Sequence, residues 1–240
     1  MTKTILVVGA GDALGGAIAR RFAAEGYVAA IARRSATALE GLCGTIGQEG
    51  GTALPMAFDA TDEKAVTGAF ETLEKSGHSP DVVVYNAGAW HRESVLATSA
   101  EIYERIWRNA TFGAFLVGRE AARHMAPGKR GTILFTGATA SLRGSDGFAA
   151  FAGAKFALRA LAQSMARELG PRGIHVGHIV IDGVINTPDV HRRFADYVAT
   201  LPEQGLLEPD AIAENYWQLH CQPANAWSFE IDLRPWAERW

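Results

Sequence analysis

The chain has 240 residues, enough for one large core. Its 23 basic and 26 acidic side chains nearly balance, which argues against a polyanion-binding surface and predicts no nucleic-acid partner. Cys43 and Cys221 lie far apart, and no stretch approaches the ~20 apolar residues of a membrane span, so a cytoplasmic protein with reduced thiols and no membrane partner is expected.

Short apolar runs alternate with helix-period segments, the pattern of strand–helix units on a parallel sheet. Thr4–Val8 is predicted as the first strand. Leu14–Glu25 follows as a helix with Leu14, Ile18 and Phe22 on one face, closed by Gly26. Tyr27–Ala32 reads as strand two, and Ser35 as the N-cap of a helix carrying Leu39, Leu42 and Ile46. Thr52–Phe58 is strand three, and Asp62 and Glu63 suit the positive end of a helix reaching Lys75. Asp81–Tyr85 is strand four, Glu101–Met125 one long helix and Gly131–Thr136 strand five. Phe148–Gly170 is a helix ending ahead of Pro171, and His175–Ile181 is strand six. Residues 183–208 have weak periodicity and two prolines, which predicts a loop-helix lid. Pro209 opens a helix to about Cys221, and Trp227–Leu233 is the last strand, with Phe229, Ile231 and Leu233 on one face. The fold class is α/β: a doubly wound Rossmann fold, a parallel sheet of about seven strands with helices on both faces, in one domain over 1–240.

Strand one runs directly into Gly9-Ala10-Gly11-Asp12-Ala13-Leu14-Gly15-Gly16 and then a helix. Glycine lets the backbone turn sharply and approach a pyrophosphate, and the helix N-terminus adds unpaired N–H groups and partial positive charge. On these residues and those that follow, the chain resembles the short-chain dehydrogenase/reductase family over essentially its whole length. Gly9 and Gly15 match the outer glycines of the family's turn, with Ala13 at the middle one; Gly11, Asp12 and Leu14 complete the expected cofactor loop. The resemblance implies that Asp59, with Ala60 beside it, contacts adenine. It implies that Asn86-Ala87-Gly88 is the turn after strand four, preceded by Tyr85 where the family has asparagine. It further implies that Lys155 binds the nicotinamide ribose, Asn109 holds Lys155, and Ile185 and Thr187 grip the carboxamide. Strand two ends in Ala32-Arg33-Arg34 rather than an acid, so NADP is expected over NAD, its 2′-phosphate meeting Arg33 and Arg34. The resemblance also implies a homodimer or homotetramer.

Phe151 stands four residues before Lys155, where the family has its proton-donating tyrosine, and Ala138 stands where it has serine. Losing a general acid typically costs ~10²–10⁴ in rate, and losing an oxyanion donor ~10²–10³. The family's proline-glycine after strand six is Asp182-Gly183 here, which makes Asp182 the leading substitute donor, ahead of Thr139, Ser141 and His91. Alternatively the substrate needs no tyrosine: an iminium arrives protonated, and a conjugated alkene can take its proton from water. Trp90, Phe148, Phe151 and Ile185, with Ala138 and His91 nearby, would then line an apolar pocket. A third reading is a non-catalytic NADP-binding sensor or scaffold. The expected function is NADP-dependent hydride transfer to a small apolar or aromatic substrate (imine, activated alkene or carbonyl). In it Lys155 orients the ribose, Asn109 supports Lys155, and Asp182 or a water supplies the proton. His175 and His178 should face opposite sides of their strand, and no metal site is expected. Trp217, Trp227, Trp236 and Trp240 crowd the C-terminal end as core packing or as a subunit interface.

Overall fold

The computed structural model describes residues 2–238. Seven strands form one parallel sheet: β1 (Thr4–Val8), β2 (Val28–Arg33), β3 (Thr52–Ala57), β4 (Val82–Tyr85), β5 (Gly131–Thr136), β6 (Ile174–Ile181) and β7 (Glu230–Leu233). Their spatial order is β3-β2-β1-β4-β5-β6-β7. The order reverses between β1 and β4, and a crevice opens beyond the carboxyl ends of strands at such a point.

Helices α1 (Leu14–Ala24), α2 (Glu40–Gln48) and α9 (Pro209–Cys221) cover one face. Ile18, Phe22, Ile46, Ile212 and Tyr216 bury there against Ile5, Val7 and Ile31. Helices α3 (Glu63–Lys75), α5 (Gly113–Met125) and α6 (Ala149–Leu169) cover the other. Val66, Phe70, Val117 and Leu158 bury there against Leu6, Val83 and Ile133. Successive strand residues feed opposite cores, so a central strand such as Ile5–Val8 is apolar throughout. Asp62 caps α3 as its position suggests, Oδ1 accepting from the N–H groups of Lys64 (2.9 Å) and Ala65 (3.2 Å).

Three expectations need correction, and one open alternative is resolved in part. Ser35 does not cap α2; a 3₁₀ turn, Thr37–Leu39, intervenes, and the Ser35 hydroxyl pairs with that of Thr37 at 2.8 Å. The long helix is divided into α4 (Ala100–Trp107) and α5 by a π turn over Arg108–Phe112. There the Tyr85 hydroxyl donates to the Asn109 carbonyl at 2.5 Å, a partner outside the helix, and it fills the space a Cβ on Gly113 would need. The last strand is shorter than read, and Phe229, just ahead of it, packs on the opposite core from Ile231 and Leu233. Trp217 and Trp227 are packing residues, edge-on to Phe22 at 5.1 Å and stacked on His175 at 4.9 Å. Trp236 is exposed, and Trp240 lies outside the described residues.

Residues 183–208 form the expected excursion, with two short helices, α7 (Pro188–Arg193) and α8 (Ala195–Ala199). Gly183 hinges its start at φ +151°, where a Cβ would strike Pro235.

Candidate active site

A cleft of about 280 Å³ sits where the strand order reverses. Gly9, Gly11, Arg33, Arg34, Asp59, Ala60, Asn86, Ala87, Gly88 and Asn109 line it, so most of the expected cofactor residues converge. Asp12, Ala13, Leu14 and Gly15 are not on its wall; Leu14 and Gly15 are buried in the first turn of α1. Val8, Phe58, Thr61 and Ala89 line it too, and sequence reasoning missed them because they are flanking positions without polar signature.

The glycine loop is shaped by contact. Gly9 has φ +90°, and a Cβ there would lie 2.6 Å from the Ala87 nitrogen. By contrast, nothing lies within 4 Å of a Cβ position on Gly11, which faces open space. Ala13 sits at φ −95°, an ordinary value for alanine, so its substitution for glycine carries no positive-φ strain. Asn86 ties the two loops together, donating Nδ2–H to the Gly9 carbonyl at 3.1 Å.

At the other end of the cleft, Asp59 accepts from the Thr61 N–H and hydroxyl, both at 2.8 Å. The Thr61 N–H chiefly, then the Thr61 hydroxyl and the charges of Arg34 and Arg108, hold the Asp59 carboxyl below the usual carboxylate range against its partial burial. Arg33 donates Nη1–H to the Ala38 carbonyl at 3.2 Å. Neither Arg33 nor Arg34 forms an ion pair among the described residues, and both border the cleft.

Lys155 is 5% exposed and donates Nζ–H to the Thr136 carbonyl at 2.7 Å. Burial without a carboxylate partner pushes its ammonium down to about 8. Nζ lies close beside Gly88, 3.6 Å from where a Cβ would project, and 5.8 Å from the centroid of the Phe151 ring. Phe151 itself is 9% exposed and packs with Ala138, Ala140 and Phe148. The site therefore presents a hydrocarbon surface where the resemblance puts two hydroxyls.

None of the four candidate donors stands unengaged. Asp182 is buried; its Oδ1 accepts from the Thr139 hydroxyl at 2.6 Å, and its Oδ2 faces Arg234 Nε at 3.5 Å. Ser141 is fully buried and accepts from the Ala138 N–H at 3.1 Å. His91 Nε2 meets Glu93 Oε2 at 3.2 Å. In the 183–208 excursion, Ile185 pairs with Leu207 in a β-bridge, and the Thr187 hydroxyl accepts from the Val190 N–H at 3.2 Å to cap α7. The aromatic cluster extends beyond the expected residues: the Trp90 ring is edge-on to Phe148 (5.7 Å) and to Phe194 of the 183–208 excursion (6.2 Å).

His178 lies beneath this floor, its ring filling the space beside Gly137. Its Nδ1 pairs with Glu230 Oε2 at 2.9 Å, and Arg159 grips both Glu230 oxygens at 2.7 Å. Burial outweighs Glu230 and lowers the imidazole to about 4. His175 projects to the other face, against Trp227 and the carbonyl of Ser228.

Comparison with known proteins bears on this arrangement. A family model described as short chain dehydrogenase matches residues 3–197. The chain belongs to that family. A short-chain dehydrogenase from Rhodopseudomonas palustris is 41% identical, with 98% of this chain and 99% of that one covered at a TM-score of 0.83. The 3-oxoacyl-[acyl-carrier-protein] reductase MabA of Mycobacterium tuberculosis is 30% identical over 208 residues, 87% of this chain and 77% of that protein. A cyclic-di-GMP-binding biofilm dispersal mediator protein of Escherichia coli is 33% identical over 189 residues, 77% of this chain and 74% of that protein. Oxidoreductases and a protein named for ligand binding thus both occur among the dehydrogenase relatives. Among the described residues no helix is long and apolar enough to cross a membrane, and no group of three or more His, Cys, Asp or Glu could hold a metal ion.

Proposed function

We propose that this short-chain dehydrogenase is an NADP-dependent oxidoreductase that moves hydride to a small apolar or aromatic substrate without a tyrosine acid. The observation that carries the reading is the pairing of a formed dinucleotide cleft with a phenyl ring, Phe151, held beside a buried, retained Lys155. The residues present fit the cofactor. The cradle at Gly9 has no room for a Cβ, Gly11 is open, and Arg33 and Arg34, without an ion pair among the described residues, offer guanidinium groups for a 2′-phosphate. Bound NADPH would supply the hydride.

This chain's own residues do the rest. Lys155 uses one of its three N–H donors on Thr136, which leaves two for the ribose hydroxyls. Asn109 supports that region from the π turn. Phe148, Phe151 and Trp90 offer an apolar surface for the substrate beside Lys155. The geometry argues against Asp182 as the donor: its oxygens are taken up by Thr139 and Arg234, and it is 4% exposed. The proton comes instead with the substrate or from a water reaching it after hydride addition, which suits an imine or an activated alkene better than a ketone. Exposed aromatic side chains on α4, α5 and α6 (Tyr103, Trp107, Phe115 and Phe156) support a homo-oligomer.

The test is a titration of NADPH binding followed by its oxidation with ketones, cyclic imines and activated alkenes. Turnover of imines or alkenes without ketones is expected. Tight binding with no turnover across the panel would overturn the reading in favour of a binding protein.

A further inference from the structure

We propose that Arg92 is the specificity-determining residue of the substrate pocket and that it binds an anionic group, a carboxylate or phosphate, on an apolar or aromatic substrate. The inference rests on the oxidoreductase reading for its biological meaning but on separate residues for its geometry. The loop carrying Arg92 is pinned to the loop ahead of α6: the Glu93 N–H donates to the Gly147 carbonyl at 2.8 Å. Gly147 has φ +77°, and its Cβ position lies 3.1 Å from Arg92 Cγ, so the arginine stem lies against a residue with no side chain to push it away. The guanidinium carbon then lies 5.7 Å from the centroid of the Phe148 ring. That ring belongs to the Trp90–Phe148–Phe151–Phe194 aromatic cluster, where the substrate pocket is proposed.

Arg92 is thus oriented at both stem and head, yet it makes no ion pair among the described residues. The carboxylate nearest in sequence, Glu93, is engaged by His91 at 3.2 Å. The other cations at the pocket differ. Arg193 lies over Phe194 at 5.4 Å but is paired with Asp189 at 3.2 Å, and Lys155 is committed to Thr136. A planar guanidinium held over a ring retains its outward N–H groups for two acceptor oxygens. Arg92 and Lys155, neither ion-paired among the described residues, place positive charge beside the aromatic cluster and suit an anionic substrate. Between the two acceptor classes of the proposed function, this favours an activated alkene that bears an anion.

The test uses a redox-inert aryl acid. Naphthoate and its uncharged isostere naphthamide are titrated by tryptophan fluorescence into the NADPH-saturated wild-type protein, Arg92→Ala and Arg92→Lys. Naphthoate should bind at least ~10-fold more tightly than naphthamide, as one charge-assisted contact provides. Arg92→Ala should abolish that preference, and Arg92→Lys should retain only part of it. All three proteins should bind NADPH equally. Equal affinity for the two probes, binding of neither, or a preference that survives in Arg92→Ala would overturn the inference. Failure to bind NADPH would sink the proposed function instead; the same naphthoate comparison on the cofactor-free protein would still decide the role of Arg92.

Discussion

The ammonium of Lys155 gives the sharpest quantitative prediction. It is buried, has one hydrogen bond and no counter-ion among the described residues, and burial pushes it down to about 8 from 10.5. Because the folded-state value is depressed by desolvation, the unfolded chain holds the extra proton between the two values. Stability must therefore rise with pH in that window. At about 1.4 kcal/mol per pH unit, the full difference is about 3 kcal/mol, most of it recovered between pH 7 and 10. Replacing the residue, Lys155→Met, removes this dependence while keeping most of the volume. Urea unfolding of both cofactor-free proteins at a series of pH values isolates the effect, since all other titrating groups are shared. The stability of wild type relative to Lys155→Met should climb by about 2 to 3 kcal/mol from pH 7 to 10. A relative stability that stays flat or falls would show that Lys155 is solvated or paired in the folded protein, and the account of the active-site floor would fail with it.

Three further outcomes follow from the same geometry. Phe151→Tyr restores a hydroxyl beside Lys155 and should create NADPH-dependent ketone reduction at least ~10²-fold above wild type; no gain would mean that the missing serine at Ala138, or the pocket shape, is the tighter constraint. Arg33→Ala should lower affinity for NADP by ~10-fold or more and leave NAD binding nearly unchanged, as read by competitive titration; an unchanged NADP/NAD ratio would remove the basis of the cofactor preference. Asp182→Asn should leave the pH profile of hydride transfer in place but cost roughly 1–3 kcal/mol of stability, because the Thr139 and Arg234 contacts lose their charge; a lost alkaline or acidic limb would restore Asp182 as the donor.

The fold class and the glycine loop that borders the cleft were legible because their signals are local. Glycine at position 9 answers a positive φ and a close backbone approach, and alternating apolar runs answer burial on both faces of a parallel sheet. The absence of hydroxyls at Phe151 and Ala138 needs no structure at all, since neither side chain can carry an exchangeable proton. Other features depend on which distant residues the sheet brings side by side. Thr139 meets Asp182 across 43 positions, and His178 meets Glu230 across 52; both pairs exist only because β5, β6 and β7 lie adjacent in register. The helix over Glu101–Met125 reads as continuous because its apolar period is nearly unbroken, yet the Tyr85 hydroxyl, 24 residues away, binds the Asn109 carbonyl where it becomes a π turn. Arg92 carries no sequence signal of function; only the fold sets its stem against Gly147 and its guanidinium over Phe148. Backbone demands and burial patterns are written residue by residue, whereas the partners of polar side chains are chosen by tertiary packing. The sequence therefore determined the scaffold and the hydrocarbon side chains at Phe151 and Ala138, and the tertiary structure decided which polar groups remain available for chemistry.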